Sequence, residues 1–356
     1  MKNNKYLLIA MALLLLMQTA CLKSPDVIKQ ATAENRPLLT ILKNNYAFSM
    51  FYTALQRTGL DKTISGTGPY TLLVPDNNAF ASSGISADSL AKIDTATLKR
   101  LLNYHIIPIS ITYAGIPQTI DTPYPTLAGQ VVYFSEPVTN SGPTSQAVIA
   151  LHVNGIVVNK ADIAATNGYI IALNNVLHYP AASVKDFLQN NPKFSLFTQA
   201  LKQFGLFDQL DKTGPFVVLA PSNDAFANYG IDKASLTAID TLTYKKFLFG
   251  AYILTPNRFF LSDYTTDAKP AHPLFFTPNY VSSLSAPYGS TLVNFGILAL
   301  NYETILAQTD NPPYYGNPYI FGPPANIVDP DHLAINGIVH GLDGVVMIPD
   351  SVKIHK

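Results

Sequence analysis

The single cysteine is the residue whose chemistry its position indicates most directly. Cys21 is the only cysteine among 356 residues, and it lies just after the apolar run Tyr6–Met17, which Lys2 and Lys5 precede. A basic start, a run of about a dozen apolar residues and a small residue before the cleavage point are typical of a secretory signal peptide. We therefore expect residues 1–20 to be removed and the remaining chain to be exported.

The position of Cys21 resembles that of the cysteine in a bacterial lipobox, where the thiol is acylated and anchors the mature chain. Gln18 stands three residues before it, where the pattern usually has leucine. The alternative is an ordinary signal peptide followed by a chance cysteine. With lipid attached at Cys21, residues 21–35 become a linker on a protein anchored to the cell envelope, at the outer membrane or the cell surface.

Histidines and carboxylates offer little for catalysis. None of the seven histidines lies three or four residues from another, the spacing of a helical metal pair. Asp329 and Asp331 with His332 could bind a small cation, although a solvated Asp-Pro-Asp turn is the favoured interpretation. The chain has no Gly-x-Ser-x-Gly elbow, His-Glu-x-x-His motif or phosphate-binding glycine loop. We therefore predict no catalytic residues, no metal, no cofactor and no enzymatic activity.

The charge balance excludes one class of partner. Only 13% of the residues are charged, and 23 basic residues balance 23 acidic ones. After the signal peptide, no basic run remains that could follow a phosphate backbone. We therefore do not expect the protein to bind nucleic acid.

An internal duplication supplies the elements that would position a site. A shift of 146 residues superimposes Leu42–Thr95 on Leu188–Thr241, with about half of the positions identical. In each copy the apolar residues recur at three- and four-residue spacing, which predicts one amphipathic helix that ends at Gly59 or Gly205. In the second copy, Asn191-Pro192 predicts an additional helix start.

Later signals in each copy indicate strands. A Gly-Pro pair, an apolar run and then a proline with polar residues predict a buried strand that leads into a capped helix, at 68–80 and 214–226. Asn-Gly at 167–168 and 336–337 predicts a closing hairpin turn. Further runs with strand-like composition are Val131–Phe134, Val148–Val153 and Ile156–Val158. Helices first and strands later predict an α+β architecture.

The second copy has a long extra segment. Its closing motif is offset by 169 residues instead of 146, so 23 more residues lie between the common parts. Most of them are expected in 265–332, a loop rich in Pro, Tyr, Asn and Gly, and long aperiodic loops are usually functional or disordered. In it, Tyr314, Tyr315 and Tyr319 could contact a partner or stack on sugar rings, or they could fold back over the core.

Four motifs in one order resemble the fasciclin (FAS1) domain. They are GPYTLLVPDNNAF at 68–80, YHIIP at 104–108, NKADI at 159–163 and NGYIIALNNVL at 167–177. The second copy repeats the first and last of them, has NYETI at 301–305 as a weaker match to the third, and has Tyr252 in place of His105. The resemblance implies two tandem fasciclin-like domains, 36–180 and 183–350, each an antiparallel β-wedge or sandwich packed with helices.

The resemblance also implies a role. Fasciclin domains serve in extracellular adhesion, and the Tyr104-His105 pair falls in the part of the domain that is linked to it; the alternative is that the His105 imidazole satisfies a backbone group. No Arg-Gly-Asp is present, so integrin recognition of the animal type is not expected. We predict a lipid-anchored surface module that binds an extracellular protein or matrix partner. The alternatives are a glycan-binding accessory lipoprotein of an outer-membrane polysaccharide uptake system and a spacer without a ligand.

Overall fold

The computed structural model describes residues 36–136, 150–244, 247–250, 252–254, 258–265, 291–297, 303–309, 320–321 and 325–345. In these residues the chain forms two units of the same plan, each with helices followed by a sheet. Cys21, Tyr314, Tyr315 and Tyr319 lie outside the described residues.

The first domain begins with helices and ends with strands. Its helices are α1 (Leu38–Asn44), α2 (Ser49–Thr58), α3 (Leu60–Ile64), α4 (Asn77–Ser82), α5 (Ala87–Lys92) and α6 (Thr95–Tyr104). Its strands are β1 (Tyr70–Pro75), β2 (Ile106–Ile107), β3 (Thr122–Pro125), β4 (Val131–Ser135), β5 (His152–Val153), β6 (Ile156–Ala165) and β7 (Gly168–Leu173).

The second domain repeats this order. Its described helices are α7 (Val184–Asn190), α8 (Ser195–Gln203), α9 (Asn223–Asn228), α10 (Lys233–Thr237), α11 (Phe247–Gly250) and α12 (Ser262–Thr265). Its described strands are β8 (Phe216–Pro221), β9 (Ile253–Leu254), β10 (Thr291–Ile297), β11 (Glu303–Thr309), β12 (Ile320–Phe321), β13 (Ala325–Ala334) and β14 (Gly337–Leu342). Two tandem α+β domains were predicted, and the structure has them.

Each sheet is mixed. The strand order is β2-β1-β7-β6-β5-β4-β3 in the first domain and β10-β11-β13-β14-β8-β9 in the second, with β12 beside β11. The pairs β1/β7 and β8/β14 are parallel, and the other described pairs are antiparallel. The prediction of a wholly antiparallel sheet is therefore wrong at one strand pair in each domain. Most of each domain lies between its first and last strands, and this long connection can bring them side by side in the same direction.

Apolar side chains cover both faces of the first sheet. In β1, Leu72 and Val74 point to the cluster that includes Phe51 of α2, while Leu73 points to a second cluster with Phe134. Alternation along the strand explains this division, since successive side chains of a strand point to opposite faces. The sheet therefore lies between the helices and a second apolar layer.

The helix at the start of each copy is shorter than predicted. In place of one helix, α1 and α2 are separated by a 3-10 turn, and the Asn45 side chain accepts a hydrogen bond from Ala47 N at 3.0 Å. Asn191 does the same for Lys193 N, and Pro192 begins the 3-10 turn there. These asparagines break the helix because they satisfy backbone groups that a continuous helix would use.

The predicted caps are confirmed. Asp76 accepts from Ala79 N at 2.7 Å at the start of α4, and Ser222 accepts from Ala225 N at 3.1 Å at the start of α9. Gly59 adopts the left-handed conformation, with φ 72°, directly after α2. The strand predictions at Val131–Phe134 and Ile156–Val158 are also confirmed, whereas within Val148–Val153 the described strand is β5 alone.

The predicted closing hairpins join β6 to β7 and β13 to β14, with Asn167 and Asn336 in their turns. Asn167 Oδ1 accepts from Leu38 N at 2.9 Å, and its Nδ2 donates to the carbonyls of Ile64 and Gly66 at 2.9 and 2.8 Å. Asn167 therefore connects the hairpin turn to α1 and to the segment before β1.

The same three contacts recur in the second domain. Asn336 accepts from Val184 N at 2.9 Å and donates to Leu210 O and Lys212 O at 2.9 and 2.8 Å. Asparagine therefore has a specific structural role in both closing turns.

The extra segment of the second domain is not a plain loop. Within 265–332, the described residues include β10, β11 and β12, and β10 pairs with β11 over seven residue pairs. Moreover, the counterpart of the NKADI segment is 328–332 in β13, and not 301–305, of which the described residues Glu303–Ile305 belong to β11. Asp162 and Asp331 both lie at a register shift next to the closing strand and have positive φ, 56° and 63°.

Candidate functional site

His105, the first candidate from the sequence, lies inside the first domain. Its Nδ1 is 2.8 Å from Leu101 O, and its Nε2 is 3.1 Å from Leu177 N. Because a carbonyl only accepts, Nδ1 carries the proton and Nε2 accepts from the amide. Desolvation by burial lowers the pKa of His105 to about 4. The imidazole is therefore neutral and joins the end of α6 to the segment after β7.

Tyr104, the other member of the pair, is also fully buried. Its hydroxyl donates to Val131 O at 2.9 Å and accepts from Asn154 Nδ2 at 2.8 Å. Asn154 Oδ1 in turn accepts from Tyr133 N. Tyr104 therefore supports β4 and the turn between β5 and β6.

The contacts of His105 agree with the alternative that its imidazole satisfies backbone groups. Direct partner contact by Tyr104 or His105 stays a prediction, and in this conformation neither side chain reaches the surface. In the second domain Tyr252 takes the place of His105, because Leu219 N donates to Tyr252 O as Leu73 N donates to His105 O, both at 2.8 Å.

Residues 108–121, which follow the pair and β2 in the chain, form the first-domain loop. This loop exposes three large apolar side chains, Ile109 (46%), Tyr113 (38%) and Ile120 (37%). Exposed apolar side chains that lie close in sequence indicate an interaction surface more than isolated ones do. The first-domain loop is therefore the candidate interaction site.

A buried hydroxyl fixes the start of this loop. Thr71, which is fully buried in β1, donates from Oγ1 to Ile109 O at 2.7 Å and accepts from Ile111 N at 2.8 Å. The same position of the repeat in the second domain is Val217, which has no hydroxyl. This anchoring is thus specific to the first domain.

The middle of the loop is fixed through Tyr113. Its amide donates to Asp162 Oδ1 at 2.7 Å, and its hydroxyl donates to Glu136 Oε1 at 2.5 Å. The hydrogen bond to Glu136 raises the pKa of Tyr113, and burial adds to the shift. Glu136 N also donates to Thr119 O at 2.9 Å. The apolar side chains therefore project from a loop whose backbone is held at several points.

The corresponding part of the second domain, residues 258–265, is called the second-domain segment below. Leu261 N donates to Asp331 Oδ1 at 2.8 Å, as Tyr113 N does to Asp162. This segment packs against the first domain: the ring of Phe260 is 6.3 Å from that of Tyr133. The same part of the fold is thus covered in one domain and exposed in the other.

The candidate cation group of Asp329, Asp331 and His332 lies in β13, so a solvated turn is wrong as its description. Asp329 pairs with His332 Nε2 at 2.7 Å and with Lys193 Nζ at 2.6 Å. Asp331 instead bonds to the second-domain segment. Within the part of the chain that the structure describes, no three such side chains are placed to hold a metal ion.

Sequence reasoning missed the first-domain loop and the residues that form the contact between the domains. One signal was present, since aligning the repeats shows Thr71 opposite Val217 in otherwise similar buried strands. The exposure of Ile109, Tyr113 and Ile120 had no signal of its own, because apolar residues in a loop are as consistent with a core contact.

Among the described residues, no helix combines the length and the apolar character needed to cross a membrane.

Comparison with known proteins agrees with this fold. The family model described as the fasciclin domain matches residues 46–180 and 192–271, more than half of the chain. The chain therefore belongs to the fasciclin family, as its motifs suggested, and it contains binding domains of a kind found in cell-adhesion proteins.

Three relatives show how widely the domain occurs. Fasciclin-1 of Drosophila melanogaster is 25% identical over 315 residues, which cover 84% of this chain and 44% of the fly protein. Transforming growth factor-beta-induced protein ig-h3 of Sus scrofa is 29% identical over 188 residues, 52% of this chain and 26% of the pig protein. Protein sll1483 of Synechocystis is 29% identical over 160 residues, 44% of this chain and 82% of that protein.

A solved FAS1 domain pair from the insect cell adhesion molecule Fasciclin I is also similar. It shares 22% identity, covers 86% of this chain and 99% of its own chain, and superimposes with a TM-score of 0.34. This chain spans about a quarter of the pig relative and less than half of the fly relative.

Proposed function

We propose that this chain is a non-enzymatic adhesion module, anchored to the cell surface by lipid at Cys21, that recognises an extracellular protein through the first-domain loop. The observation that supports this best is the contrast between two corresponding segments. The second-domain segment packs against the neighbouring domain, whereas the first-domain loop exposes Ile109, Tyr113 and Ile120.

The chemistry of the loop favours a protein partner. Aromatic and aliphatic side chains that project from a fixed backbone can act as anchors in a protein interface, because little conformational entropy is lost when they bind. Thr71, Asp162 and Glu136 fix the loop before any partner is present. The hydrogen bonds of the loop are therefore part of the proposed binding mechanism.

The first test removes the exposed side chains. Cells that display the wild-type chain are compared with cells that display Tyr113→Ala or Ile120→Ser, on surfaces coated with purified extracellular proteins or with purified polysaccharides. We expect adhesion to a protein surface, and a loss in affinity of at least about tenfold in either variant. Tyr46→Ala is the matched control, because Tyr46 is an exposed tyrosine of the same domain outside the loop.

The outcomes separate the proposed functions. Adhesion to polysaccharide that both loop variants retain would contradict the protein-binding proposal and favour the glycan-binding accessory role. Equal adhesion by all variants on the protein surface would place the contact elsewhere. No adhesion to any surface would favour a spacer.

A second test loosens the loop and leaves its displayed side chains intact. Thr71→Val gives the first domain the residue that the second domain has at this position, Val217. It removes the bonds to Ile109 and Ile111 at nearly constant volume. We expect weaker binding, mainly through faster dissociation, with the fold retained. Unchanged dissociation would mean that the loop needs no fixed start.

The anchor is tested separately. The wild type and Cys21→Ala are expressed in a bacterium that processes lipoproteins, and mass spectrometry follows acylation while protease treatment of intact cells follows surface exposure. We expect an acylated, protease-accessible wild type and a released variant. An unmodified wild type would remove the lipid anchor from the proposal and leave the binding proposal standing.

A further inference from the structure

The contact between the two domains buries charged groups among aromatic rings. The guanidinium of Arg258 lies 4.1 Å from the centre of the Tyr133 ring and is almost fully buried. Beside it, Gly155 in the turn between β5 and β6 comes so close that a Cβ atom there would be 2.8 Å from Asp331 Oδ2 and 3.3 Å from Phe260. The domains are therefore in direct contact through β4, this turn and the second-domain segment.

Three carboxyl groups meet at this contact. Asp121 comes from the first domain, just before β3, whereas Asp263 and Asp331 come from the second. Asp263 accepts from Phe260 N at 2.8 Å, and Asp331 accepts from Leu261 N at the same distance. Among the described residues, Asp121 Oδ1 is buried and has no hydrogen-bond partner. Ionisation of all three would therefore bring three negative charges into this contact, where the positive charge of Arg258 acts on Asp121.

We propose that this contact is an acid-stabilised joint, in which the two domains hold one orientation at mildly acidic pH and separate as the pH rises and the three carboxyl groups ionise. The contact includes residues of both domains, so the response requires no ligand. Asp121 is the last residue of the first-domain loop, but the joint does not depend on binding by its exposed side chains Ile109, Tyr113 and Ile120.

Burial raises the pKa of these carboxyl groups, as an acid-stabilised contact requires. Desolvation raises the pKa of Asp121 to about 7, of Asp263 to about 6 and of Asp331 to about 7. The charge of Asp263 adds to the shift of the other two. Separated domains would expose carboxyls with ordinary values near 3.8, so the docked state binds more protons. Docking is therefore strongest below about pH 4 and weakens progressively as the pH rises from there through about 7, above which the groups are ionised in both states.

Other charged groups near the contact do not reverse this direction above about pH 6. Desolvation lowers the pKa of His340, which donates to Phe259 O, to about 3, so it stays neutral. Desolvation also lowers the pKa of His152 and of His178, which favours their neutral forms.

Four more titratable groups lie near these elements. They are Glu136, bonded to Tyr113, and the group of Lys193, Asp329 and His332. The latter three pair with one another within the second domain.

The joint can be tested by the distance between the domains. In the Cys21→Ala chain, Tyr46→Cys and Leu242→Cys provide one label site in each domain, and the native side chains there are 87% and 85% exposed. Pulsed electron paramagnetic resonance then gives the distance distribution at about pH 6 and about pH 8, on either side of the expected titration. We expect one narrow population at the lower pH and at least a tenfold larger separated fraction at the higher pH, the effect of about one pKa unit at one carboxyl.

Matched substitutions identify the carboxyl groups as the cause. Asp331→Asn keeps an acceptor for Leu261 N and tolerates the positive φ, so we expect the separated fraction at about pH 8 to fall towards its value at pH 6. Asp162→Asn is the control, because Asp162 has the same bulge conformation and the same type of backbone bond in the first domain, but is exposed. Asp121→Asn tests the joint from the other domain, and circular dichroism checks that each variant is folded.

Two results would overturn the joint. One is a wild-type distance distribution that is identical at both pH values. The other is an unchanged pH response in the folded Asp331→Asn and Asp121→Asn variants, equal to that of Asp162→Asn, which would attribute the opening to other groups.

Discussion

The two domains show how one fold uses the same segment in different ways. Tyr113 and Leu261 donate the same backbone bond to Asp162 and Asp331, so the two segments start from equivalent positions. In the second domain Phe260, next to Leu261, contacts Tyr133 of the first domain. In the first domain the corresponding loop keeps Ile109, Tyr113 and Ile120 exposed, and its last residue, Asp121, lies at the contact. The duplicated fold therefore provides one docking segment for the internal contact and leaves another exposed.

The two domains also differ in the position of their fully buried histidine. His105 of α6 joins Leu101 O and Leu177 N in the first domain, whereas His340 of β14 joins Phe259 O and Asp331 N in the second. They occupy different positions in the fold, and each is fully buried between two backbone groups. A buried histidine that bonds to two backbone groups is therefore not confined to the Tyr-His pair.

The largest effects should come from the feature that both domains share. Asn167→Ala removes three buried hydrogen bonds, and we expect it to lower the free energy of unfolding by about 3 kcal/mol. Asn336→Ala should cost a similar amount, because its three contacts are the same in kind. Urea titration followed by circular dichroism measures both.

Asn45→Ala is the control for these two variants, since the Asn45 side chain makes a single exposed bond to Ala47 N, and it should cost about 1 kcal/mol or less. A clear inequality between Asn167→Ala and Asn336→Ala would show that the closing turns do not carry equal weight in the two domains.

A smaller, pH-dependent effect should separate the histidines. His105→Gln cannot bond to both Leu101 O and Leu177 N, and we expect it to cost about 2 kcal/mol near neutral pH. The folded-state pKa of about 4 lies below the ordinary value of 6.5, so the stability that neutral His105 contributes is lost as the pH falls between them. The cost of the substitution should therefore shrink by up to about 1.4 kcal/mol per pH unit in this range.

The same titration of His340→Gln sharpens the comparison. Its cost should continue to shrink to a lower pH, because burial lowers the pKa of His340 to about 3. Urea unfolding at several pH values gives the difference between each variant and the wild type, which cancels contributions from the carboxyl groups. A difference that stays constant with pH would mean that the histidine in question is not held neutral.

Much of this architecture could be predicted from residues that act locally. The caps Asp76 and Ser222, the left-handed Gly59 and the Asn-Gly turns follow from the preferences of single residues. The parallel central strands could not, because strand direction depends on a distant partner. The 3-10 break of the second copy had a signal in Asn191-Pro192, whereas that of the first copy was not predicted, because it depends on a competing side-chain bond of Asn45.

The candidate site was harder to predict for a related reason. The Tyr104-His105 pair was identified from its residue types, yet its burial depends on segments that lie 27 to 72 residues further along the chain. The exposed first-domain loop depends on which domain contacts which, and the repeat is similar in both. A difference such as Thr71 against Val217 is visible in the sequence, but its meaning comes from the loop that the hydroxyl holds.

The smallest predicted effect concerns one contact that the domains make with different side chains. Arg57 donates to Leu90 O at 2.6 Å and to Ile93 O at 3.0 Å, which fixes α5 to α2. Gln203 occupies the same position of the repeat and donates to Ile239 O at 2.7 Å and to Thr237 O at 3.4 Å. The contact therefore needs a donor of sufficient reach, and a charge is not essential.

Arg57→Gln should consequently cost less than about 1 kcal/mol, because the amide can replace one of the two bonds. Arg57→Ala should cost about 2 kcal/mol, since both carbonyls lose their donor. The free energies of unfolding of both variants, measured by urea titration, show whether this contact needs the length of the Arg57 side chain or its charge. If Arg57→Gln were as destabilising as Arg57→Ala, the guanidinium would be required in the first domain, and the two domains would differ at this contact in mechanism as well as in residue.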